Sequence, residues 1–193
     1  MAERIRSFVA VHLPAEVQRA LGELQAELRR PAERLAQVKW VTPANMHLTL
    51  QFLGDVDSGL LPKLVDSLRG AFLDTHPFEL EVADVGAFPS PARPRVLWAG
   101  LKRGVDGLKA LASAAAGVTG PLGFPPEDRP FKPHVTLGRV KDGGRPGDLG
   151  PALAPLAGRE LGRCQIDRVY LMKSELRPTG PLYTVLDSFP LGR

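Results

Sequence analysis

Cysteine is nearly absent from this chain: Cys164 is its single cysteine. One thiol cannot close an internal disulfide and cannot anchor a zinc site by itself, which fits a reducing compartment, so a cytoplasmic location is expected. Long apolar runs are missing too. No stretch reaches the about 18 residues that a membrane-spanning helix needs, so no membrane association is expected. Residues 1–6 carry charge and lead into a strand-like run, without the long apolar segment and small-residue cleavage site of a signal peptide. Aromatics are sparse at 6%, and histidine occurs four times, so each histidine can be weighed separately.

What is present suits a soluble globular protein. The 193 residues, 44% hydrophobic and 24% charged, fit one domain or two small lobes sharing a core. The net charge of +4 and the pI near 9.5 come largely from arginine. Arginine's planar fork bonds two phosphate oxygens at once, so this balance favours anionic partners. An arginine surplus can also simply solvate a surface. Charge permits a nucleic-acid partner without establishing one.

The apolar spacing predicts an alternation of strands and helices. Residues 6–13 read as a buried strand, and Pro14 opens a helix with Val17, Leu21, Leu24 and Leu28 on one face. Pro31 is expected to end that helix or follow closely on its end. Residues 38–41 read as extended, 46–53 as a strand, 60–72 as a helix and 78–88 as an alternating strand. The second half repeats the order: a strand over 95–101, a helix over 105–118, a Pro/Gly-rich loop over 120–133 and a strand over 132–140. A short helix over 149–156 and strands over 165–172 and 180–186 complete it. Each half reads strand, helix, histidine-bearing strand, helix, strand. That coarse duplication predicts an α+β fold over residues 1–193: a single domain of two pseudo-symmetric lobes, two antiparallel sheets flanked by helices around a central groove.

The histidine-bearing strands carry one pattern twice, His47-Leu48-Thr49-Leu50 and His134-Val135-Thr136-Leu137. In a strand, residues i and i+2 share a face. His47 and Thr49 therefore point one way, with Leu48, Leu50 and Phe52 toward a core, and His134 and Thr136 do the same over Val135 and Leu137. A lone histidine on a strand is usually structural. Two at matched places of a duplicated chain, each with a hydroxyl on its face, can converge in a cleft. Such a set can open a cyclic phosphodiester: one imidazole deprotonates water, the other protonates the departing ribose oxygen, and the hydroxyls donate to the non-bridging oxygens. The scheme needs no metal, and two histidines without a third ligand are poor zinc candidates.

The segments Asn45-Met46-His47-Leu48-Thr49-Leu50-Gln51-Phe52-Leu53-Gly54 and Pro133-His134-Val135-Thr136-Leu137-Gly138-Arg139 resemble the two signature strands of the two-histidine (2H) phosphoesterase superfamily. They are most similar to its RNA 2′,3′-cyclic phosphodiesterase branch, also called 2′-5′ RNA ligase. The likeness extends to Phe8-Val9-Ala10 with Leu13-Pro14, Trp40-Val41, Arg95-Val96-Leu97-Trp98-Ala99-Gly100, Ser174-Glu175-Leu176 and Gly180-Pro181-Leu182-Tyr183, and so covers essentially the whole chain. It implies a bilobal α+β fold with a central groove, no cofactor and no metal. It implies hydrolysis of RNA 2′,3′-cyclic phosphate ends to 2′-phosphates, with His47 as proton donor to the leaving 3′ oxygen and His134 as proton acceptor from water. A related reverse reaction, ATP-independent 2′-5′ joining of tRNA halves, comes with the family, so RNA ends, tRNA fragments among them, are the expected partners. A monomer is expected.

Arg139 falls on the wrong face by strict alternation, unless Gly138 hosts a bulge that turns it back toward the groove. The resemblance favours a phosphate-contacting role for it. Lys132 reads as solvated. His12 and His76 lack a threonine two places on and read as non-catalytic. Phe8, Trp40, Trp98 and Tyr183 are the aromatics available to stack a base, though most such residues are core; Phe8 and Tyr183 are taken as the base-contacting pair. The loop over 121–131 reads either as a border of the site or as an ordinary connection. Two other functions fit the same residues: a phosphodiesterase acting on another 2′-5′-linked or cyclic nucleotide, and a non-catalytic RNA-binding module.

Overall fold

A computed structural model of the chain describes residues 3–141, 146–178 and 180–192. Its elements run β1 (Arg4–His12), α1 (Ala15–Glu33), β2 (Val38–Trp40), β3 (His47–Asp57), α2 (Leu61–Phe72), β4 (Phe78–Ser90) and β5 (Arg93–Arg103). They continue with α3 (Val105–Thr119), β6 (Val135–Val140), α4 (Gly150–Leu153), β7 (Glu160–Ile166), β8 (Arg168–Arg177) and β9 (Gly180–Pro190). The class is α+β, as the alternation of apolar periods implies.

The two expected sheets are the two sides of one continuous antiparallel sheet, ordered β7-β4-β5-β6-β3-β1-β8-β9, with β2 added on β6. The seam between β3 and β6 is the pair Leu48 and Val135, both buried. Outward from it the order is β3-β1-β8-β9 on one side and β6-β5-β4-β7 on the other. The duplication is therefore real in pairing order, but it is not two consecutive blocks. The last strand of the first half, β4, crosses to pair with β5, and β8 crosses back to pair with β1.

One face of the sheet packs on the helices. Leu21, Leu24 and Leu28 of α1, Leu64 and Leu68 of α2, and Leu108 and Leu111 of α3 join Leu48, Leu50, Val135 and Leu137 in one buried cluster. Burying such a side chain is worth roughly 1.5–3 kcal/mol, so four of them fasten the two histidine-bearing strands firmly to the helical layer. The opposite face is free to form a groove.

Three local expectations differ. Pro31 lies inside α1 and the helix runs on to Glu33, because Ala32 is fully buried and holds the extra turn. Residues 165–172 do not form one strand: Asp167 separates β7 from β8, and its carbonyl accepts from the Leu191 N–H at 2.8 Å. The half of β7 that periodicity missed, Glu160–Arg163, lies on an edge strand and holds one buried apolar side chain, Leu161. β6 starts at Val135, so His134 stands just ahead of its strand, after Pro133, which has no N–H to offer a neighbour.

Candidate active site

The seam sets the geometry of the two tetrapeptides. Leu48 and Val135 are the second residues of the two motifs. Extending their antiparallel register by one residue in each direction places His47 opposite Thr136 and Thr49 opposite His134. The four polar residues thus group around the pseudo-two-fold point of the sheet, on the face away from the helices.

Both histidine-bearing strands then bulge. On β6, Gly138 faces Leu97 and Thr136 faces Trp98, so Leu137 has no partner on β5. On β3, Gln51 faces Val9 and Thr49 faces Ala10, leaving Leu50 as the extra residue. An extra residue inverts the alternation beyond it. Leu50 and Gln51 are consecutively buried, as are Leu137 and Gly138. The fifth residue after each histidine, Phe52 and Arg139, consequently turns back to the groove. The bulge expected at Gly138 is present, and Arg139 lines the groove. Phe52, expected in the core, does not lie there: it is 40% exposed in the groove, because the same bulge operates on β3.

Two buried glutamines support these bulges from the helical side of the sheet, Gln25 from α1 and Gln51 from β3 itself. Gln25 of α1 donates through Nε2 to the carbonyls of Val41 (2.7 Å) and Leu137 (2.9 Å). Gln51 donates to the Phe124 carbonyl at 2.9 Å and accepts from the Thr119 hydroxyl at 3.0 Å. Neither glutamine stood out in the sequence; a lone polar residue on an apolar helix face, as Gln25 is beside Leu24 and Leu28, is the signal that could have found one of them.

The imidazoles are held alike. His47 Nδ1 lies 2.7 Å from the Asn45 carbonyl and His134 Nδ1 lies 2.7 Å from the Lys132 carbonyl. A carbonyl only accepts, so each Nδ1 carries hydrogen, and each Nε2 is the atom left to exchange protons. His47 Nε2 meets the Thr49 hydroxyl at 3.0 Å. Phe8 stacks on the His47 ring with centroids 5.0 Å apart, and Tyr183 meets it edge-on at 5.2 Å. Phe88 meets His134 edge-on at 5.1 Å, a support the sequence did not flag.

Burial depresses both imidazole pKa values. For His47 desolvation dominates, the bond to the Asn45 carbonyl opposes it, and His12 adds to the lowering. For His134 desolvation again leads, the Lys132 carbonyl opposes, and the nearby Arg139 cation lowers it further. Tyr183 is raised, chiefly by burial, against the lowering influence of Arg139 and Arg6.

These side chains line one cleft of about 550 Å³ that contains His47, Thr49, His134, Thr136, Arg139, Phe8 and Tyr183. Every site residue expected from the sequence is there. Arg6, Phe52, Lys39 and Arg177 also line it, and among the described residues no aspartate or glutamate does. Trp40 borders the cleft, but its Nε1 donates to Glu33 at 2.8 Å. Trp98 is not a lining residue; it packs against Phe88 and over Gly86. The loop over 121–131 contributes nothing to the cleft. Lys132 is exposed, and its ammonium lies 6.0 Å from the Phe88 ring. His12 is the cross-strand neighbour of His47, yet its ring stacks on Tyr170 at 4.0 Å in a smaller cavity behind. Among the described residues no three His, Cys, Asp or Glu side chains are grouped as metal ligands.

A family model described as LigT like Phosphoesterase matches residues 11–98 and 104–183, which contain both tetrapeptides. The chain belongs to this family. A Methanothermobacter thermautotrophicus protein named RNA 2′,3′-cyclic phosphodiesterase is 34% identical over 97% of the chain and 100% of that protein. One of the same name from Thermus thermophilus is 39% identical over 97% of the chain and 90% of its own length. Among solved structures, TT0787 of Thermus thermophilus superposes with a TM-score of 0.79 at 35% identity, covering 97% of this chain and 98% of that one. Escherichia coli LigT complexed with 3′-AMP gives 0.78 at 27% identity, covering 98% and 99%.

Proposed function

We propose that this LigT-like phosphoesterase is an RNA 2′,3′-cyclic phosphodiesterase that leaves a 2′-phosphate. The observation that carries the reading is the convergence, across one sheet seam, of two imidazoles anchored through Nδ1 with Nε2 left to exchange protons, two threonine hydroxyls and Arg139, in a cleft that no carboxylate among the described residues lines. The names of its relatives support the same substrate class.

In the proposed reaction His134 Nε2 takes a proton from water as the water oxygen bonds to phosphorus. The bond from phosphorus to the ribose 3′ oxygen breaks, its electron pair stays on that oxygen, and His47 Nε2 supplies the proton. The products are a 2′-phosphomonoester and a 3′-hydroxyl. Thr49, Thr136 and Arg139 donate to the non-bridging oxygens, where negative charge gathers. The anchored Nδ1 atoms keep both Nε2 atoms aimed at the groove throughout. Phe8 and Tyr183 are proposed to contact the terminal nucleoside, though both also pack the His47 ring. The assignment of donor and acceptor follows the family likeness. We place this activity on tRNA fragments and other cyclic-phosphate RNA ends, in a cytoplasmic, monomeric, single-domain protein of two lobes. ATP-independent 2′-5′ joining would be the same ring opening with a 5′-hydroxyl in the place of water, and it is reversible.

The test is to incubate RNA bearing a 2′,3′-cyclic phosphate with purified protein and chelator, and to identify the product end. A 2′-phosphate formed at the chelator-free rate is expected. A 3′-phosphate, or loss of turnover on chelation, would overturn the scheme.

A further inference from the structure

Arg139 and Phe52 occupy equivalent places, one on each side of the seam, each returned to the groove by a bulge after its Thr-Leu pair. Only one of the two is a cation. The other side nevertheless has a cation at that place. Arg6, on β1 beside β3, lays its guanidinium over the Phe52 ring with 4.5 Å between its central carbon and the ring centroid. A guanidinium over an aromatic face is held by the ring's negative quadrupole while its edge donors stay available.

Three observations aim those donors at a ligand. Arg6 is exposed and lines the same cleft as the two histidines. Its cross-strand neighbour on β3 is Asp55, yet the salt bridges of the described residues do not include Arg6. Arg6, Arg139 and Tyr183 line the one cleft, and the Tyr183 phenol feels both cations. Lys39 cannot be the counterpart, because it pairs directly with Arg139 and lies on that side of the seam.

We infer that Arg6, seated on Phe52, is a second anion subsite that binds the phosphate on the 5′ oxygen of the terminal nucleoside, the internucleotide phosphodiester in an RNA chain. This deepens the proposed function and rests on it. The reacting cyclic phosphate occupies the Arg139 side with the threonines, and the chain leaves toward Arg6. A nucleoside 2′,3′-cyclic phosphate without a 5′-phosphate leaves this subsite empty. The enzyme is thereby tuned to the ends of RNA strands over free cyclic mononucleotides.

The experiment compares kcat/KM on three probes: a nucleoside 2′,3′-cyclic phosphate, its 5′-phosphorylated form, and a dinucleotide ending in 2′,3′-cyclic phosphate. Wild type is expected to prefer the last two. Arg6→Gln should lower kcat/KM on those two about tenfold more than on the first, the worth of one charge-assisted hydrogen bond. It should also flatten the slope of log kcat/KM against log salt on the dinucleotide by about 0.7, one phosphate contact on a single strand. Phe52→Leu, which keeps the charge and removes the ring, should shift preference the same way by less. Equal losses on all three probes would overturn the subsite, as would an Arg6→Gln variant with unchanged preference and salt slope. Turnover of the unphosphorylated probe by wild type separates these outcomes from failure of the underlying reaction: were no probe opened, the phosphodiesterase reading itself would fall.

Discussion

At the scale of single residues the site turns on two imidazoles that burial holds below the ordinary value of 6.5. The proposed reaction needs His134 neutral and His47 protonated. Burial favours the first requirement and opposes the second. A bound phosphate supplies the missing term, because its negative charge beside both rings favours imidazolium and raises both pKa values. The profile of kcat/KM reports the free enzyme and that of kcat reports the complex. The kcat bell is therefore expected to lie at higher pH than the kcat/KM bell, which should be centred on the acid side of the ordinary imidazole range. Rate measurements over a pH series on one cyclic-phosphate substrate check the order; a kcat bell at the same or lower pH would contradict it. These residues were legible in the sequence, since a repeated His-x-Thr spacing needs only strand alternation to be read. Phe52 was not, because alternation fails at a bulge and nothing local in Leu50-Gln51 announces one.

At the scale of elements, the bulges after the two motifs decide which side chains reach the substrate. The β6 bulge depends on Gly138. A Cβ there would lie 2.7 Å from Val38 Cγ1 and 3.0 Å from Trp40 Cε3, so β2 could not close on β6 as it does. Gly138→Ala is expected to cost about 1–3 kcal/mol of stability, the usual range for overpacking. It should also raise KM, since Lys39 and Arg139 are neighbours across that contact. Adding Val38→Ala removes the closest clashing atom, so the double variant should be more stable than the sum of the single effects. Denaturant unfolding of the four chains measures this; strict additivity would mean the contact is not the cause. The sequence flagged Gly138 as a bulge former because it separates Thr136 from an arginine that alternation alone would misplace. The boundaries of β7 and β8 were less legible, since edge-strand residues such as Glu160 and Arg163 carry no apolar period.

At the scale of the whole molecule, the alternation of helices and strands was readable from apolar spacing, and so was the duplication. The exchange of β4 and β8 between the two sides was not. Strand pairing is a long-range choice among edges of similar composition, and a single sequence does not record it. The exchange ties each side of the sheet to strands from both halves of the chain, so the seam at Leu48 and Val135 is not the only link across the groove. That construction holds His47 and His134 against one another while leaving the face above them open. The positive balance of the chain gathers there too, with Arg6, Lys39, Arg139 and Arg177 lining a cleft that no carboxylate among the described residues lines.

The most direct measurement is single-turnover opening of a 2′,3′-cyclic phosphate RNA end by His47→Ala and by His134→Ala, with circular dichroism verifying the fold of each. Each variant is expected to lose about 10²–10⁴-fold in rate, the range for removing a general acid or base. The double variant should be little worse than either, because the two groups act as a unit. A folded single variant that retains the wild-type rate would contradict the assignment.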